Sequence, residues 1–213
     1  MNEELISTQV RSYVNSFVPP RPVEMQAMEA YAKQESFPII GPAAGYLCYQ
    51  ITRMIGATRV FEMGSGYGYS TAWFAQAVNE NGGGIVHHVV WDEELSQKAR
   101  AHLRTLGFED IVQYHVSEAV QTLRETPGPF DLIFNDIDKP GYPDSLPVVK
   151  EKLRSGGVLI TDNMFGFGRI FDESNRSSSA EGIREFKRLI TNDPDWISTI
   201  VPVRDGLLVA YKK

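Results

Sequence analysis

The sequence predicts an α/β fold with a mostly parallel sheet, in a single domain. Two observations carry this prediction. From residue 59 onward, apolar segments of strand length alternate with segments of helical pattern, which is the order of a parallel sheet covered by helices. Near the C-terminus, an Asp-Gly joint separates two short apolar runs, which indicates a hairpin. The chain of 213 residues has the length of one domain. We expect a helical extension over residues 1–36 and a cofactor-binding and catalytic core over 37–213.

The part of the chain before the first strand is predicted to be helical. Pro22 and Glu24 favour the start of its second helix, because proline and acidic residues are common in a first helical turn. This N-terminal region carries no cluster of catalytic residues. Its helices could form an outer layer of the fold, a lid over the site or an arm that contacts another subunit. The predicted helices cover residues 3–17, 22–35 and 42–55.

Strands and helices then alternate strictly. Because each strand is followed by a helix, the sheet should be parallel with helices on both faces. The last two strands meet through Arg204, Asp205 and Gly206, so the final strand should run antiparallel to its neighbour. The predicted strands cover residues 59–63, 85–91, 111–115, 130–135, 157–161, 196–201 and 207–212, and the helices cover 69–79, 93–106, 117–125, 144–154 and 178–191.

Composition and charge limit the classes of function. The net charge of −6 argues against a broad nucleic-acid surface, although a structured RNA on a local basic patch stays open. No stretch approaches the ~20 apolar residues of a membrane span. The start MNEELISTQV lacks the regions of a signal peptide, so we expect a cytoplasmic protein. The single cysteine, Cys48, excludes an internal disulfide and should be a buried apolar residue.

Polar side chains follow two predicted strands at the point where each strand ends. Asp136, Asp138 and Lys139 follow the strand 130–135, and Asp162 and Asn163 follow the strand 157–161. If these strands are parallel neighbours, both polar ends lie at the carboxyl edge, where ligands bind in open α/β sheets. Asp136, Asp162 and Asn163 would then offer oxygen ligands to a divalent cation, and Lys139 is a candidate base. Asp138 is either a turn residue or a carboxylate that orients Lys139.

A glycine loop follows the first strand. In FEMGSGYGYSTAWFA, Gly64, Gly66 and Gly68 stand between a strand and a helix, which leaves the backbone free to approach a ligand. The spacing differs from the dinucleotide pattern G-x-G-x-x-G, and Glu62 precedes it. A carboxylate is unfavourable beside a pyrophosphate but compatible with a sulfonium and an ammonium group. The loop therefore favours S-adenosylmethionine over NAD, and the alternative is a tight turn that needs glycine for the backbone alone.

The four segments VFEMGSGYGYSTAWFA, FDLIFNDIDKPGY, GGVLITDNMFGFGRI and IVPVRDGLLVAYKK resemble the class I metal-dependent O-methyltransferases of small molecules. That group includes catechol and caffeoyl-CoA O-methyltransferases and their bacterial relatives. The resemblance runs from about Phe37 to the C-terminus. It implies a Rossmann-like S-adenosylmethionine methyltransferase fold with seven strands, the last of them antiparallel.

The resemblance also implies roles for individual residues. Mg²⁺, or Mn²⁺ or Ca²⁺, would be held by Asp136, Asp162 and Asn163, and Lys139 would be the catalytic residue. The predicted cofactor-binding set comprises Glu62, Gly64, Gly66, Tyr67, Gly68, Ser70, Asp92 and Asp136.

Two departures from the family pattern stand out. An acid that holds the ribose is expected near Val90, where there is none, and Asp92 is the best replacement. Catechol-type members carry a glutamate shortly before the last hairpin, and the matching region ISTIVPV has no acid, which argues against catechol itself.

The predicted function is methyl transfer from S-adenosylmethionine to a metal-chelated hydroxyl of a small, aromatic molecule. One alternative is a tRNA hydroxyuridine O-methyltransferase, because some bacterial relatives modify that base. Another is a non-catalytic cofactor-binding module, which the retained Asp136 and Lys139 argue against. A homodimer is expected by analogy with related bacterial enzymes.

Overall fold

A computed structural model describes residues 7–213 of the chain. The first residues of the helix predicted over 3–17 lie outside the described part, and the helix is seen from Thr8. The elements in chain order are α1 (Thr8–Asn15), α2 (Val23–Gln34), α3 (Gly41–Met54), β1 (Arg59–Met63), α4 (Tyr69–Glu80), β2 (Ile85–Val90), α5 (Glu93–Thr105), β3 (Val112–Val116), α6 (Ala119–Glu125), β4 (Phe130–Asn135), α7 (Tyr142–Lys152), β5 (Leu153–Thr161), α8 (Ser178–Asn192), β6 (Trp196–Val201) and β7 (Leu207–Lys212).

The seven strands form one sheet in the order β3-β2-β1-β4-β5-β7-β6. β7 pairs antiparallel with β5 and β6, and the other neighbours are parallel, which confirms the predicted fold class. β1 lies between β2 and β4. The chain adds β2 and β3 on one side of β1 and then returns to add β4 on the other side, so the strand order reverses at β1. The carboxyl ends of β1 and β4 therefore flank the crevice where ligands bind in such sheets.

Most observed boundaries lie within two residues of the prediction, and β5 and α7 show why some of them differ. β5 begins at Leu153 rather than at residue 157, because Leu153 pairs with Phe130 before a register shift in the β4–β5 ladder. α7 begins at Tyr142 rather than at residue 144, with Pro143 in its first turn, where a missing N–H costs no helical hydrogen bond.

The hydrophobic core is divided between the two faces of the sheet. Consecutive strand residues point to opposite faces, so Val60 belongs to one cluster and Phe61 to the other. α2 contributes Met25 and Met28 to the first cluster, so this helix is an outer layer of the core. Cys48 is buried in the same cluster, as predicted. Within residues 7–213, no helix is long and apolar enough to cross a membrane.

Candidate active site

A cavity of about 270 Å³ opens at the carboxyl edge of the sheet. It brings together the glycine loop, the segment after β4, the segment after β5 and the β6–β7 loop. The segment that leads into α3 closes one side. The lining residues are Phe37, Pro38, Ile39, Ile40, Gly64, Ser65, Gly66, Tyr67, Tyr69, Ser70, Asp136, Ile137, Asp138, Lys139, Asn163, Phe167 and Arg204.

The glycine loop packs directly against the backbone that carries Asp136. Gly64 has a φ of +86°, and a Cβ atom at this position would lie 2.4 Å from the carbonyl oxygen of Asp136. Gly66 and Gly68 also have positive φ, at +53° and +91°. The positive φ angles favour glycine at all three positions, and the short distance to the Asp136 backbone requires it at Gly64. The glycine loop therefore lies beside the predicted ligand Asp136.

Glu62 lies beneath the glycine loop and does not line the cavity. Its carboxylate accepts hydrogen bonds from the hydroxyls of Ser70 and Thr71, and Thr71 Oγ1 lies 2.9 Å from Nδ1 of His88. Burial raises the pKa of Glu62 to about 7, against the hydrogen bonds that favour its charged form. Glu62 therefore fixes the first turn of α4, and Ser70 connects it to the cavity.

Tyr67 and Asp92 occupy different surroundings. The Tyr67 side chain is buried, its hydroxyl donates to the carbonyl oxygen of Met28 at 2.9 Å, and it joins α2 to the glycine loop. Asp92 is exposed, caps α5 by accepting from the Leu95 N–H at 2.8 Å, and is not among the residues that line the cavity. A role for Asp92 at the ribose stays a prediction.

The two predicted ligand carboxylates lie side by side at the ends of β4 and β5. Asn135 pairs with Thr161, so Asp136 and Asp162 leave the sheet at the same level. Lys139 Nζ donates to Oδ1 of Asp136 at 2.9 Å, and Arg204 Nη1 donates to Oδ2 of Asp162 at 2.8 Å. Each carboxylate therefore has one cationic partner.

Burial and mutual repulsion make both carboxylates costly to ionise. Burial, followed by the charge of Asp162, raises the pKa of Asp136 to about 6. Burial also raises the pKa of Asp162, whose side chain is only 1% exposed. Lys139 and Arg204 therefore do not fully offset the cost of burying these two carboxylates.

The residues present fit a divalent cation. Oδ1 of Asp162 is buried and has no hydrogen-bond partner in the structure. Burial, followed by the charges of Asp136, Asp162, Asp205 and Asp138, raises the pKa of Tyr142, and Lys139 and Arg204 are the cations that act on Asp162. A hard cation prefers such oxygen donors. The described residues contain no group of three His, Cys, Asp or Glu that could hold a metal, so the set depends on the amide oxygen of Asn163.

The β6–β7 loop supplies site residues that the sequence analysis placed only in a hairpin. Arg204 lines the cavity, and Asp205 accepts from the Phe167 N–H at 2.9 and 3.1 Å. The topology contains the signal, because an antiparallel last strand brings the preceding loop to the carboxyl edge. A charged pair in that loop then becomes a candidate for the site.

Comparisons with known proteins agree with this architecture. A family model described as O-methyltransferase matches residues 23–213. The catechol O-methyltransferase of Niastella koreensis is 27% identical over 183 residues, which cover 82% of this chain and 82% of that protein. The crystal structure of the Bacillus cereus O-methyltransferase in complex with SAH superposes with a TM-score of 0.87 at 27% identity, covering 97% of this chain and 98% of that one. TomG of Streptomyces achromogenes, solved with SAM, shares the fold with a TM-score of 0.87 at 24% identity, covering 100% of both chains.

Proposed function

This chain belongs to the O-methyltransferase family, and we propose that it transfers the methyl group of S-adenosylmethionine to a chelating hydroxyl of a small aromatic molecule, assisted by a divalent cation. The observation that carries the proposal is one cavity lined both by the glycine loop and by the loop of Asp136 and Lys139. A methyl donor and an acceptor bound there would be held close together, which is the main requirement of an in-line transfer.

The glycine loop is the proposed binding site of the cofactor. Gly64, Gly66 and Ser70 line the cavity, and the backbone N–H groups of Gly64 and Ser65 are tied to Val89 O at 3.2 and 2.9 Å. This fixes the path of the loop before any ligand binds. The Bacillus cereus relative was solved with SAH, the product of a methyl transfer, which supports S-adenosylmethionine as the donor.

Asp136, Asp162 and Asn163 are the proposed ligands of Mg²⁺ or Mn²⁺, with Ca²⁺ as another hard cation for the same donors. A cation held there would lower the pKa of a hydroxyl chelated to it. The buried, unpartnered Oδ1 of Asp162 and the excess of carboxylates support this set.

Lys139 is the proposed base. Its Nζ lies in the cavity wall, 2.9 Å from Asp136 Oδ1 and 3.2 Å from the Ile137 carbonyl oxygen, so it is held beside the proposed acceptor position. In its neutral form Lys139 would take the hydroxyl proton and release it to solvent. The acceptor oxygen would bond to the methyl carbon as the carbon–sulfur bond breaks, and no covalent intermediate with the protein is needed.

A panel of acceptors tests the proposal. Catechols, flavonoids, hydroxycinnamoyl thioesters and hydroxylated aromatic acids would be incubated with S-adenosylmethionine and Mg²⁺ or Mn²⁺, with bulk tRNA as a contrasting acceptor. We expect methylation of at least one phenol, loss of activity with EDTA and recovery on addition of the metal. Activity unchanged by EDTA would contradict the role of the cation. Methylation of tRNA alone would contradict the small-molecule acceptor.

A further inference from the structure

The guanidinium of Arg204 makes its hydrogen bond to the described residues through one nitrogen. Its Nη1 donates to Asp162, and among the described residues Nε and Nη2 have no hydrogen-bond partner. Other arginines of this chain use the Nε–Nη2 edge to hold a carboxylate. Arg21 does so on Glu29 at 2.8 and 2.9 Å, and Arg188 does so on Glu185. The edge that binds carboxylates with two parallel hydrogen bonds is therefore open in Arg204.

The backbone holds Arg204 at the cavity in an unusual conformation. Its φ is +53°, which a residue with a side chain adopts only where its surroundings maintain it. The following residues are tied to the segment after β5, because the N–H groups of Met164 and Phe165 donate to Gly206 O and Asp205 O at 3.0 and 2.9 Å. The β6–β7 loop is thus held by backbone hydrogen bonds and by the Asp205 side chain, which accepts from the Phe167 N–H.

The cavity that Arg204 lines contains one further cation and an aromatic side chain, besides the carboxylates of Asp136 and Asp138. Lys139 and Phe167 line the same cavity, and the Arg204 side chain is 26% exposed. The segment before the β6–β7 loop, residues 197–203, contains no acidic residue. The contact with Asp162 holds the guanidinium in place through Nη1 and leaves its Nε–Nη2 edge unpaired among the described residues.

We infer that the methyl acceptor carries a carboxylate that the Nε–Nη2 edge of Arg204 binds, so that the acceptor class is a hydroxylated aromatic acid. This inference rests on the proposed function and specifies the substrate of the same site. A guanidinium favours a carboxylate over a neutral group because its two parallel donors match the two oxygens. Phe167 offers an apolar surface for the ring between the carboxylate and the reacting hydroxyl.

A pair of nearly isosteric ligands tests the inference without turnover. The binding of 3,4-dihydroxybenzoate and of 3,4-dihydroxybenzamide is measured by calorimetry on the protein loaded with SAH and Mg²⁺ at neutral pH. We expect the acid to bind the wild-type protein about 10-fold or more tightly than the amide. Equal affinities, or a preference for the amide, would overturn the inference.

Variants of Arg204 identify the group responsible. Arg204→Met should weaken binding of the acid by about 10- to 100-fold and change binding of the amide less than about 3-fold. Arg204→Lys keeps the charge without the two-donor edge and should recover only part of the preference. Arg176→Met is the matched control, because Arg176 is exposed, pairs with Glu181 and is not among the residues that line the cavity, and it should leave the preference unchanged. Equal losses for acid and amide in Arg204→Met would show that Arg204 acts only through Asp162 and would overturn the inference.

Methyl transfer to the same two ligands separates this inference from the proposed function. Methylation of both with equal efficiency, without preferential binding of the acid, would refute the carboxylate site and leave the proposed function intact. Tighter binding of the acid without methylation of any phenol in the panel would refute the proposed function and support the carboxylate site.

Discussion

Replacing Gly64 by alanine tests whether the glycine loop and the loop of Asp136 support each other. The Cβ atom of an alanine at this position would lie 2.4 Å from the carbonyl oxygen and 2.8 Å from the carbonyl carbon of Asp136. Both atoms belong to the backbone, so no side-chain rotation can relieve the overlap. The two loops would have to separate at the point where the donor and the acceptor are proposed to meet.

Two costs add in Gly64→Ala. An alanine forced into a left-handed conformation costs roughly 1–2 kcal/mol, and overlap in a packed site typically adds about 1–3 kcal/mol. We expect the free energy of unfolding to fall by about 2–5 kcal/mol in total. Gly107→Ala is the matched control, because Gly107 has a φ of +78° and nothing within 4 Å of the added Cβ. Its loss should be about 1–2 kcal/mol, which is the conformational cost alone.

Urea unfolding followed by far-ultraviolet circular dichroism measures the difference between the two variants, provided that their urea dependence is the same. Calorimetric titration with SAH gives the second readout, since Gly64 lines the cavity and Gly107 does not. We expect Gly64→Ala to bind SAH about 10-fold or more weakly, and Gly107→Ala to bind it like the wild-type protein. Equal losses of stability in the two variants would refute the contact between the loops.

Three further substitutions have defined outcomes. Lys139→Ala should lower kcat by about 100-fold or more with the affinity for SAH almost unchanged, and an unaltered kcat would reject Lys139 as the base. Burial raises the pKa of Glu62 from 4.5 to about 7, so the folded protein binds more protons than the unfolded chain between these pH values, and its free energy of unfolding falls as pH rises through that window. Glu62→Gln should show a smaller fall in urea unfolding across the same window, and parallel profiles would contradict the assignment. Asp131→Asn should lower the free energy of unfolding by about 1–3 kcal/mol in the same measurement. Asp131 accepts from the N–H groups of Thr58 and Arg59 at 2.9 Å each and from Arg154 Nε at 2.7 Å. A free energy of unfolding equal to that of the surface variant Asp110→Asn would contradict this expectation.

Strands whose apolar runs end in polar or glycine residues could be located from the sequence. β1, β4, β6 and β7 have the predicted bounds because local pattern decides where they begin and end. β5 extends back to Leu153 because this residue finds a partner in Phe130 across a register shift. Pairing between distant segments decides that boundary, and a local pattern contains no information about it.

The same distinction applies to the site. Asp136 and Asp162 were expected together because parallel neighbouring strands bring their carboxyl ends to one edge. Glu62 was predicted to bind the cofactor, and this stays a prediction. Glu62 lies two positions after Val60 and therefore on the same face of β1, which packs in the first core cluster. Strand alternation thus accounts for its burial beneath the loop, with Ser70 between it and the cavity. Arg204 could be assigned to the site only once the position of the β6–β7 loop was known.

The placement of the two cations would allow the site to hold both the proposed metal ion and the proposed anionic acceptor. Lys139 and Arg204 each bind one carboxylate oxygen, and Oδ1 of Asp162 has no partner. Because Arg204 uses Oδ2, it need not leave for a cation to bind Oδ1 of the same carboxylate. Because it uses only Nη1, its remaining edge can face an acceptor. Asp162 would thus hold the guanidinium through one oxygen and a metal ion through the other. Since the guanidinium would bind the acceptor carboxylate and the metal ion would bind the reacting hydroxyl, Asp162 would set the distance between these two groups.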